Sequence, residues 1–420
     1  MDSPSSLKKT NHLANLGAFG IASAVGQFMM MLFTFLLARH VGPENYGFYI
    51  SSFSLLYLTS IIFNNGLDTW LLNQKRSPTE LHKDYSQILT IKFLGGLLWV
   101  AIIVIFAPLV RPDLYVRTLL IINAVDIWTD AILLTSLAVL NIQGKVKQYS
   151  LMMVSSRTFK LLSLVLLVLV GSSNIIAFAT GRALVSLIIA LIVVCKLKPK
   201  VIPVIWSELI EKVKAARYFA LSEFLAMIYM QIDITLLNLM VGSLQVGIYS
   251  PASTIVNAIF VLPSAIHLYT LPLLTRHYHD DHRRFKEFSK RVNLLTAGLG
   301  VVLSGGVFFL GGWFVVKFLG PEFTETSKII TLLSPILFMK CLEFGFASVI
   351  VAGGQQKKRI LPQIIASIVN ILFNIILIPR LGAVGAAKTY LLSEGILMLC
   401  YGWLAYSVLK EIQKNDGKDA

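Results

Sequence analysis

The sequence predicts an all-α integral membrane protein in which twelve transmembrane helices form two parallel six-helix bundles around a central cleft. Three observations support this fold class: the composition, the length of the apolar runs and an internal repeat. Hydrophobic residues make up 56% of the 420 residues and charged residues only 14%, whereas about 25% of residues are charged in ordinary soluble domains. The mean hydropathy of +0.73 also indicates that lipid surrounds most of the chain.

Apolar runs of 20 or more residues recur along the whole chain. Each run is long enough to cross a hydrocarbon core of about 30 Å. Because every backbone polar group in lipid must be paired within the protein, such runs form helices. The second run is interrupted at Asn64, Asn65 and Gly66. The predicted spans are 15–39, 46–72, 88–110, 118–141, 150–171 and 174–196 in the first half, and 216–241, 246–275, 292–316, 327–352, 359–379 and 384–409 in the second.

The internal repeat begins at the connection after the first span. LLARHVGPENYGFYIS at residues 36–51 recurs as LLNLMVGSLQVGIYSP at residues 236–251, and a second echo aligns Gly144 with Gly354. Six spans separate the copies, so the halves enter the membrane in the same sense, as in many transporters. With an offset of 200, the identical pairs are Leu36/Leu236, Leu37/Leu237, Val41/Val241, Gly42/Gly242, Gly47/Gly247 and Tyr49/Tyr249.

The repeat also predicts the domain organisation. A six-helix bundle is expected at residues 1–197, a cytoplasmic linker at 198–215, a second six-helix bundle at 216–410 and a cytoplasmic tail at 411–420. The N terminus, the even-numbered loops and the C terminus hold 25 Lys and Arg residues, and the odd-numbered loops hold 7. By the positive-inside rule, both termini are cytoplasmic.

The basic balance of the chain does not indicate nucleic-acid binding. The net charge of +15 lies mostly in the cytoplasmic loops, and no basic soluble domain exists to bind nucleic acid. His277, His279 and His282 beside two aspartates suggest a metal site, but their spacing matches no defined site and a solvated basic loop explains them equally well. The sequence therefore predicts no cofactor and no metal.

Four segments, in chain order, resemble the signatures of one known family. ARHVGPENYGFY at residues 38–49 is similar to its first-loop signature, and QIDITLLNLMVGSLQVGIYSPA at 231–252 to its seventh-to-eighth helix signature. LPSAIHLYTLPLL at 262–274 resembles its eighth helix, and ASIVNILFNIILIPRLGAVGAAKTYLLSE at 366–394 its eleventh and twelfth helices. The family is the polysaccharide and O-antigen flippases of the multidrug/oligosaccharidyl-lipid/polysaccharide exporter (MOP) superfamily.

The resemblance implies a MATE-like fold and a transporter rather than an enzyme. It implies that the chain flips a lipid-linked (polyprenyl-diphosphate) oligosaccharide repeat unit from the cytoplasmic to the periplasmic leaflet by alternating access. The expected location is the bacterial inner membrane, where the unit would serve the synthesis of O-antigen, lipopolysaccharide or another surface polysaccharide. The expected partners are this substrate, membrane lipid, a proton or sodium counter-ion and the polysaccharide polymerase machinery.

Five basic residues within the predicted spans are the candidate substrate-binding residues. Each costs about 2.5–3.5 kcal/mol near the centre of a helix, so each should face a cavity or an acidic partner. Arg157 and Lys160 share a face of the fifth span. Lys92 lies near a cytoplasmic end and has the alternative of extending to the membrane surface. The five are Lys92, Arg157, Lys160, Arg182 and Lys340.

The acidic residues within the spans are candidates for charge pairing or ion coupling. Asp126 and Asp130 share a face of the fourth span. Asp130 and Lys160 both lie about 15 Å from the cytoplasmic ends of adjacent antiparallel helices. They either neutralise each other or form a proton- or sodium-sensitive switch, and the two interpretations are compatible. Asp233 and Glu223 on the seventh span have the same two alternatives.

Two other functions remain open from the residues alone. A drug or cation exporter on the same fold should have a cleft dominated by acids, whereas the bases within the spans indicate an anionic substrate. A membrane glycosyltransferase or polymerase would need a large extramembrane loop with clustered catalytic groups. The longest connection here is about 20 residues, which argues against an enzyme.

Overall fold

The computed structural model describes residues 4–73, 77–110, 113–199 and 206–416. Within these ranges the chain is α-helical apart from turns and two short 3₁₀ segments, and it contains no strand. The all-α class predicted from the sequence is confirmed. Part of the predicted linker, including Pro203, and the last four residues of the predicted tail lie outside the described residues.

Fifteen α-helices follow one another along the described chain. The first eight are α1 (Pro4–Thr59), α2 (Ile61–Asn64), α3 (Leu67–Leu72), α4 (Pro78–Val110), α5 (Leu114–Ile142), α6 (Val146–Leu169), α7 (Ile175–Leu197) and α8 (Trp206–Val241). The others are α9 (Ser243–Ile259), α10 (Val261–Asp280), α11 (His282–Leu319), α12 (Thr324–Leu333), α13 (Pro335–Ala352), α14 (Ile360–Leu381) and α15 (Ala383–Asp416).

The helices are long and apolar enough for a multi-pass membrane protein. Among the described residues, 10 helical segments meet the length and hydropathy of a membrane span, or 11 when the bent helix α8 counts as one span. One of these segments, Ala22–Asn64, has 43 residues and would extend about 65 Å, twice the thickness of a hydrocarbon core. It contains most of the first two predicted spans, 15–39 and 46–72, and the backbone leaves the helical region at Gly42. Counted as two, this segment brings the spans to the predicted twelve.

The internal repeat is present in the backbone conformation. Gly144 has φ 69 and its counterpart Gly354 has φ 72, a left-handed conformation that glycine adopts without the steric cost of a Cβ. The hydrogen bonds of the two turns also correspond, residue by residue, with an offset of 210. In the first turn, the amides of Gln143, Gly144 and Lys145 donate, in that order, to the carbonyls of Val139, Asn141 and Leu140. In the second turn, the amides of Gly353, Gly354 and Gln355 donate, in that order, to the carbonyls of Val349, Val351 and Ile350.

By its residue contacts, the chain divides into two compact units, Met1–Thr235 and Leu236–Ala420. Most of α8 therefore belongs to the first unit. Ser54 Oγ of α1 lies 2.9 Å from Thr235 Oγ1 and donates to the carbonyl of Gln231, and Lys83 of α4 forms an ion pair with Glu208 at 3.0 Å. The membrane bundles predicted at 1–197 and 216–410 remain predictions.

Helix α5 is central to the first unit because it is buried along most of its length. One stripe of its surface packs on α7 through an apolar cluster. The spacing of three and four residues along the stripe keeps these side chains on a single face. The cluster comprises Leu133, Leu137 and Leu140 of α5 with Ile189, Ala190 and Val193 of α7. Towards the N-terminal part of α5, the same stripe continues with Asp130 and Asp126, where the apolar contact gives way to charged groups.

Candidate functional site

Three adjacent helices of the first unit bring five charged side chains together. Helix α5 provides two carboxylates four residues apart, α6 provides two bases three residues apart, and α7 provides one arginine. These spacings place the charges of each helix on one face, and packing turns the three faces towards one another. The α5–α7 charge cluster, as we name it, comprises Asp126, Asp130, Arg157, Lys160 and Arg182.

Lys160 is the innermost member of the cluster. Its Nζ donates to Asp130 Oδ1 at 2.8 Å and lies 3.5 Å from Asp126 Oδ1. The Lys160 side chain is fully buried. The expected ion pair with Asp130 is therefore present. In this conformation, the lysine holds the two carboxylates in place and is not itself open to a ligand.

Arg182 is fixed on several sides. Its Nε lies 2.8 Å from Asp126 Oδ2, a close ion contact that is not aligned as a hydrogen bond. Its Nη1 donates to the Tyr49 hydroxyl at 2.6 Å, and its guanidinium carbon lies 4.6 Å from the centre of the Phe53 ring. Such a cation–π contact stabilises a desolvated guanidinium. Ser186 completes the arrangement by donating to Asp126 Oδ1.

Arg157 is the most loosely held base. Its Nη1 lies 3.6 Å from Asp130 Oδ2, and 23% of its side chain is exposed. On its other side it faces Gly26 of α1, where a Cβ would lie 3.6 Å from the arginine Cγ. An arginine held by one long ion pair can turn towards an incoming anion.

The two arginines of the cluster, Arg157 and Arg182, line a cavity of about 540 Å³ formed entirely by residues of the first unit. The rest of the lining combines aromatic rings, methionines and further polar groups. Methionine fits irregular shapes because its side chain is unbranched and flexible. The other polar, aromatic and methionine residues of the lining are Gln27, Met30, Phe53, Tyr57, Asn64, Asp68, Asp130, Met153, Glu223, Met227 and Met230.

A second group of charges borders this cavity away from the cluster. Lys92 Nζ lies 2.7 Å from Asp68 Oδ2, and Asp68 also accepts a hydrogen bond from Thr135 at 2.7 Å. The Lys92 side chain is fully buried, so the alternative of extension to the membrane surface is wrong. Glu223 accepts a hydrogen bond from Thr69 at 2.5 Å.

Asp68 and Glu223 change the charge balance of the cavity. The α5–α7 charge cluster has three bases and two acids, but the lining of the cavity includes two further acids, Asp68 and Glu223. One of them, Asp68, belongs to the interrupted second span, where the break at Asn65 and Gly66 turns α3 towards α5. When Lys92, the partner of Asp68, is included, the four bases of the cluster and its surroundings equal the four acids in number. The bases are Lys92, Arg157, Lys160 and Arg182, and the acids are Asp68, Asp126, Asp130 and Glu223.

The remaining candidates, Asp233 and Lys340, are not among the lining residues of this cavity. Asp233 is buried further along α8. Lys340 belongs to the second unit, where its Nζ lies 3.0 Å from Glu343 and 2.6 Å from Glu394. The contact with Glu343 follows from a spacing of three on one helix. Glu394 comes from α15, and a sequence without known helix neighbours does not predict its contact with Lys340.

The histidine-rich connection between α10 and α11 has local interactions of its own. Asp281 accepts hydrogen bonds from the backbone amides of Arg283 and Arg284 and so caps the start of α11. Arg276 pairs with Asp280 at 3.2 Å. No group of three His, Cys, Asp or Glu side chains able to hold a metal occurs in the part of the chain that the structure describes.

Comparison with known proteins adds sequence relatives. The chain is 29% identical over 188 residues to the probable flippase AglR of Haloferax volcanii, which corresponds to 42% of this chain and 38% of that protein. It thus spans about two fifths of the length of the curated relative it matches.

Solved structures show the same fold. The lipid II flippase MurJ in an inward closed conformation has a TM-score of 0.73 at 16% identity, with 94% of this chain and 90% of MurJ covered. An inward-facing multidrug resistance MATE family transporter of the MOP superfamily has a TM-score of 0.73 at 13% identity, covering 92% of this chain and 96% of that one. The MATE-like fold predicted from the resemblance is confirmed.

A family model identifies the family of the chain. The model described as "Polysaccharide biosynthesis protein" covers residues 36–328, well over half of the chain. This match confirms the predicted resemblance, and the relatives compared above are themselves named as a probable flippase, a flippase and a transporter. The chain belongs to the polysaccharide biosynthesis protein family.

Proposed function

We propose that this chain flips a polyprenyl-diphosphate-linked oligosaccharide from the cytoplasmic to the periplasmic leaflet of a bacterial inner membrane by alternating access. The product would serve the synthesis of O-antigen or another surface polysaccharide, and both termini would be cytoplasmic. The family match and the MurJ-like fold support a flippase. The observation that carries the choice of an anionic substrate is the placement of Arg157 and Arg182 on the wall of one cavity.

The two arginines have complementary properties for binding a diphosphate. Arg182 is fixed by Asp126, Tyr49 and Phe53 and offers a pre-oriented guanidinium. Among the described residues, Arg157 has a single ion pair, the 3.6 Å contact to Asp130. A phosphate oxygen can therefore compete with Asp130 for Arg157 and form the bidentate hydrogen bonds that guanidinium groups favour.

The acidic side of the cavity suits the sugars rather than the diphosphate. Asp68 and Glu223 line the cavity together with Asn64, and carboxylates and amides accept hydrogen bonds from sugar hydroxyls. Tyr57 and Phe53 add flat apolar surfaces. The cavity thus has a cationic side for the diphosphate and an acceptor-rich side for the sugars.

A drug or cation exporter remains the second candidate. Glu223, Asp68 and Asp130 line the same cavity as the methionines and the aromatic rings, and this combination also fits a lipophilic cation. The likeness to a MATE transporter agrees with either substrate. The two functions differ in which residues are essential: the arginines for a diphosphate and the acids for a cation.

Flipping of a fluorescent polyprenyl-diphosphate oligosaccharide in proteoliposomes tests the proposal. We expect Arg157→Gln or Arg182→Gln to lower the flipping rate about 10- to 100-fold, since each loses a charge-assisted hydrogen bond of about 1.5–3 kcal/mol. Arg157→Lys should recover part of the rate, because the charge remains and the planar fork is lost. The matched control is Arg283→Gln, which removes an arginine with 89% of its side chain exposed.

If the double variant Arg157→Gln, Arg182→Gln flips the oligosaccharide at the normal rate, the diphosphate does not bind at these arginines. If Glu223→Gln also stops ethidium efflux while flipping remains intact, the exporter is the better description of the cavity.

A further inference from the structure

The second unit contains a charge cluster of its own. Lys340 and Glu343 lie on α13, and Glu394 lies on α15. The Lys340 Nζ is 3.0 Å from Glu343 Oε2 and 2.6 Å from Glu394 Oε2. The Glu394 side chain is fully buried, and those of Glu343 and Lys340 are 7% and 14% exposed. We call these three residues the α13–α15 charge cluster.

The cluster has one base for two acids. A lysine ammonium can neutralise one carboxylate, and a second carboxylate left ionised in a buried site is strongly disfavoured. The Oε2 atoms of both carboxyl groups contact the same ammonium nitrogen, at 3.0 and 2.6 Å, so the two carboxylates are close neighbours. A proton on one of them removes the repulsion between two like charges. Glu343 Oε1 is buried and accepts no hydrogen bond from a donor among the described residues, so this oxygen is available for that proton.

The groups around the cluster from the packed helices are mostly neutral. Tyr390 of α15 lies near Lys340 and donates to Asn257 of α9, and the ring of Phe260 lies 5.9 Å from the Lys340 Nζ. Further along α13, Ser348 contacts His267 of α10, and Gly345 faces Asn293 and Thr296 of α11. On α12, Lys328 is paired with the exposed Glu325. Beyond α13, Arg359 donates to the Tyr401 hydroxyl of α15.

The internal repeat aligns the two charge clusters and shows that the positions of acid and base are exchanged between them. The offset of 210 that aligns Gly144 with Gly354 also aligns Asp130 with Lys340. In the first unit, an acid of α5 contacts a base of α7, Asp126 with Arg182 at 2.8 Å. In the second unit, a base of α13 contacts an acid of α15, Lys340 with Glu394. The first cluster has one base in excess and the second has one acid in excess.

We propose that the α13–α15 charge cluster is a proton-binding site, in which one exchangeable proton is shared between Glu343 and Glu394 beside the Lys340 ammonium. The proton comes from water, forms an O–H bond to a carboxylate oxygen and returns to water when that bond breaks, so no other reactant is needed. A sodium ion fits less well because the ammonium already contacts both carboxylates. The site is independent of the proposed substrate, since it concerns only groups of the second unit.

Infrared difference spectroscopy of the purified full-length protein in lipid nanodiscs tests this site. We expect the wild type to show a carboxylic-acid C=O band that grows as the pH falls and shifts in deuterium oxide. The band should be lost in Glu343→Gln and in Glu394→Gln, because a single remaining carboxylate pairs with the lysine. It should persist in the matched control Glu325→Gln, which removes an exposed carboxylate that also pairs with a lysine.

Two further measurements keep the test decisive if a glutamine variant does not fold. Lys340→Gln should make the band persist to higher pH, since the ammonium that favours the ionised carboxylates is gone. The wild type alone also gives an answer: absence of any such band across the physiological pH range would overturn the proposal. A band that sodium chloride abolishes at constant pH, with potassium chloride as the control, would replace the proton by a metal cation.

Discussion

Gly42 and Gly242 share one unusual backbone conformation although they lie 200 residues apart. Gly42 has φ 77 and ψ 169, and Gly242 has φ 93 and ψ 174. This region of φ and ψ is essentially restricted to glycine. Each glycine ends one long helix and allows the next to begin, so the repeat preserves the connection and not only the residue type.

Alanine at either glycine should therefore destabilise the protein. We expect Gly42→Ala and Gly242→Ala each to cost about 1–3 kcal/mol, because the alanine Cβ disfavours this region of φ and ψ. Steric crowding does not contribute at Gly242, since no described atom lies within 4 Å of a Cβ placed there. Thermal unfolding in detergent measures the effect. The control is Gly298→Ala in α11, where a Cβ also meets open space but φ is not positive, and where alanine should leave the melting temperature unchanged or raise it. Equal melting temperatures for all three variants would show that the backbone conformation of Gly42 and Gly242 imposes no strain on alanine.

Removal of Asp130 should be rescued by removal of Lys160. Asp130→Asn raises the excess of positive charge in the α5–α7 charge cluster from one to two, and a buried charge without a partner costs about 3–5 kcal/mol. The double variant Asp130→Asn, Lys160→Gln returns the excess to one and should regain most of the lost stability.

Thermal unfolding of Asp130→Asn, of Lys160→Gln and of the double variant measures this rescue. The matched control is Glu325→Gln, which breaks an exposed ion pair with Lys328 and should cost no more than about 1 kcal/mol. If the double variant is as unstable as the sum of the two single variants, the pair does not act as a neutralising unit.

The turn at Asp281 should lose its cap in acid. Hydrogen bonds from the backbone amides of Arg284 and then Arg283 hold the pKa of the Asp281 carboxyl below its usual range. A carboxyl whose pKa is lowered in the folded state stabilises that state above its unfolded pKa, and the contribution is lost as the pH falls through the folded value. We expect the hydrogen-exchange protection of the Arg283 and Arg284 amides to fall over that acidic range.

Two variants separate the charge of Asp281 from its geometry. Asp281→Asn keeps an acceptor for the helix start and should show protection with little dependence on pH. Asp281→Ala should show low protection at every pH. Normal protection of these amides in Asp281→Ala would show that the cap does not hold the start of α11.

The orientation of the chain can be tested at two turns. If both termini are cytoplasmic, a phosphatase reporter fused after Gly171 should be active in the periplasm, and one fused after Gly144 should be inactive. A reporter fused after Gly354 should also be inactive, because the repeat places it on the same side as Gly144. Activity after Gly144 and inactivity after Gly171 would reverse the predicted topology.

The sequence predicts the parts of the fold that depend on local chemistry. Run length and composition predict the helices, and glycine with its neighbours predicts the breaks, including the one at Asn65 and Gly66. The contact of Asp130 with Lys160 is also predictable, since consecutive antiparallel helices pair at equal depth. Such arguments use only the rise of a helix and the order of the spans.

The contacts that the sequence does not predict join helices that are distant along the chain. Asp68 reaches Lys92 only after the break before α3, and Glu394 reaches Lys340 because α15 packs on α13. Tyr49 contacts Arg182 across 133 positions. Depth in the membrane alone does not select among several possible neighbours, so these partners require the packing arrangement itself.

The methionines of the cavity have a chemical consequence for the cell. Met30, Met153, Met227 and Met230 provide much of its soft apolar lining. Peroxide converts methionine to its sulfoxide, which is polar and chiral. Oxidation of this lining would place new dipoles next to the arginines and make its flexible apolar surface polar. If the chain acts as the proposed flippase, recovery of transport after oxidative stress would then depend on methionine sulfoxide reductases.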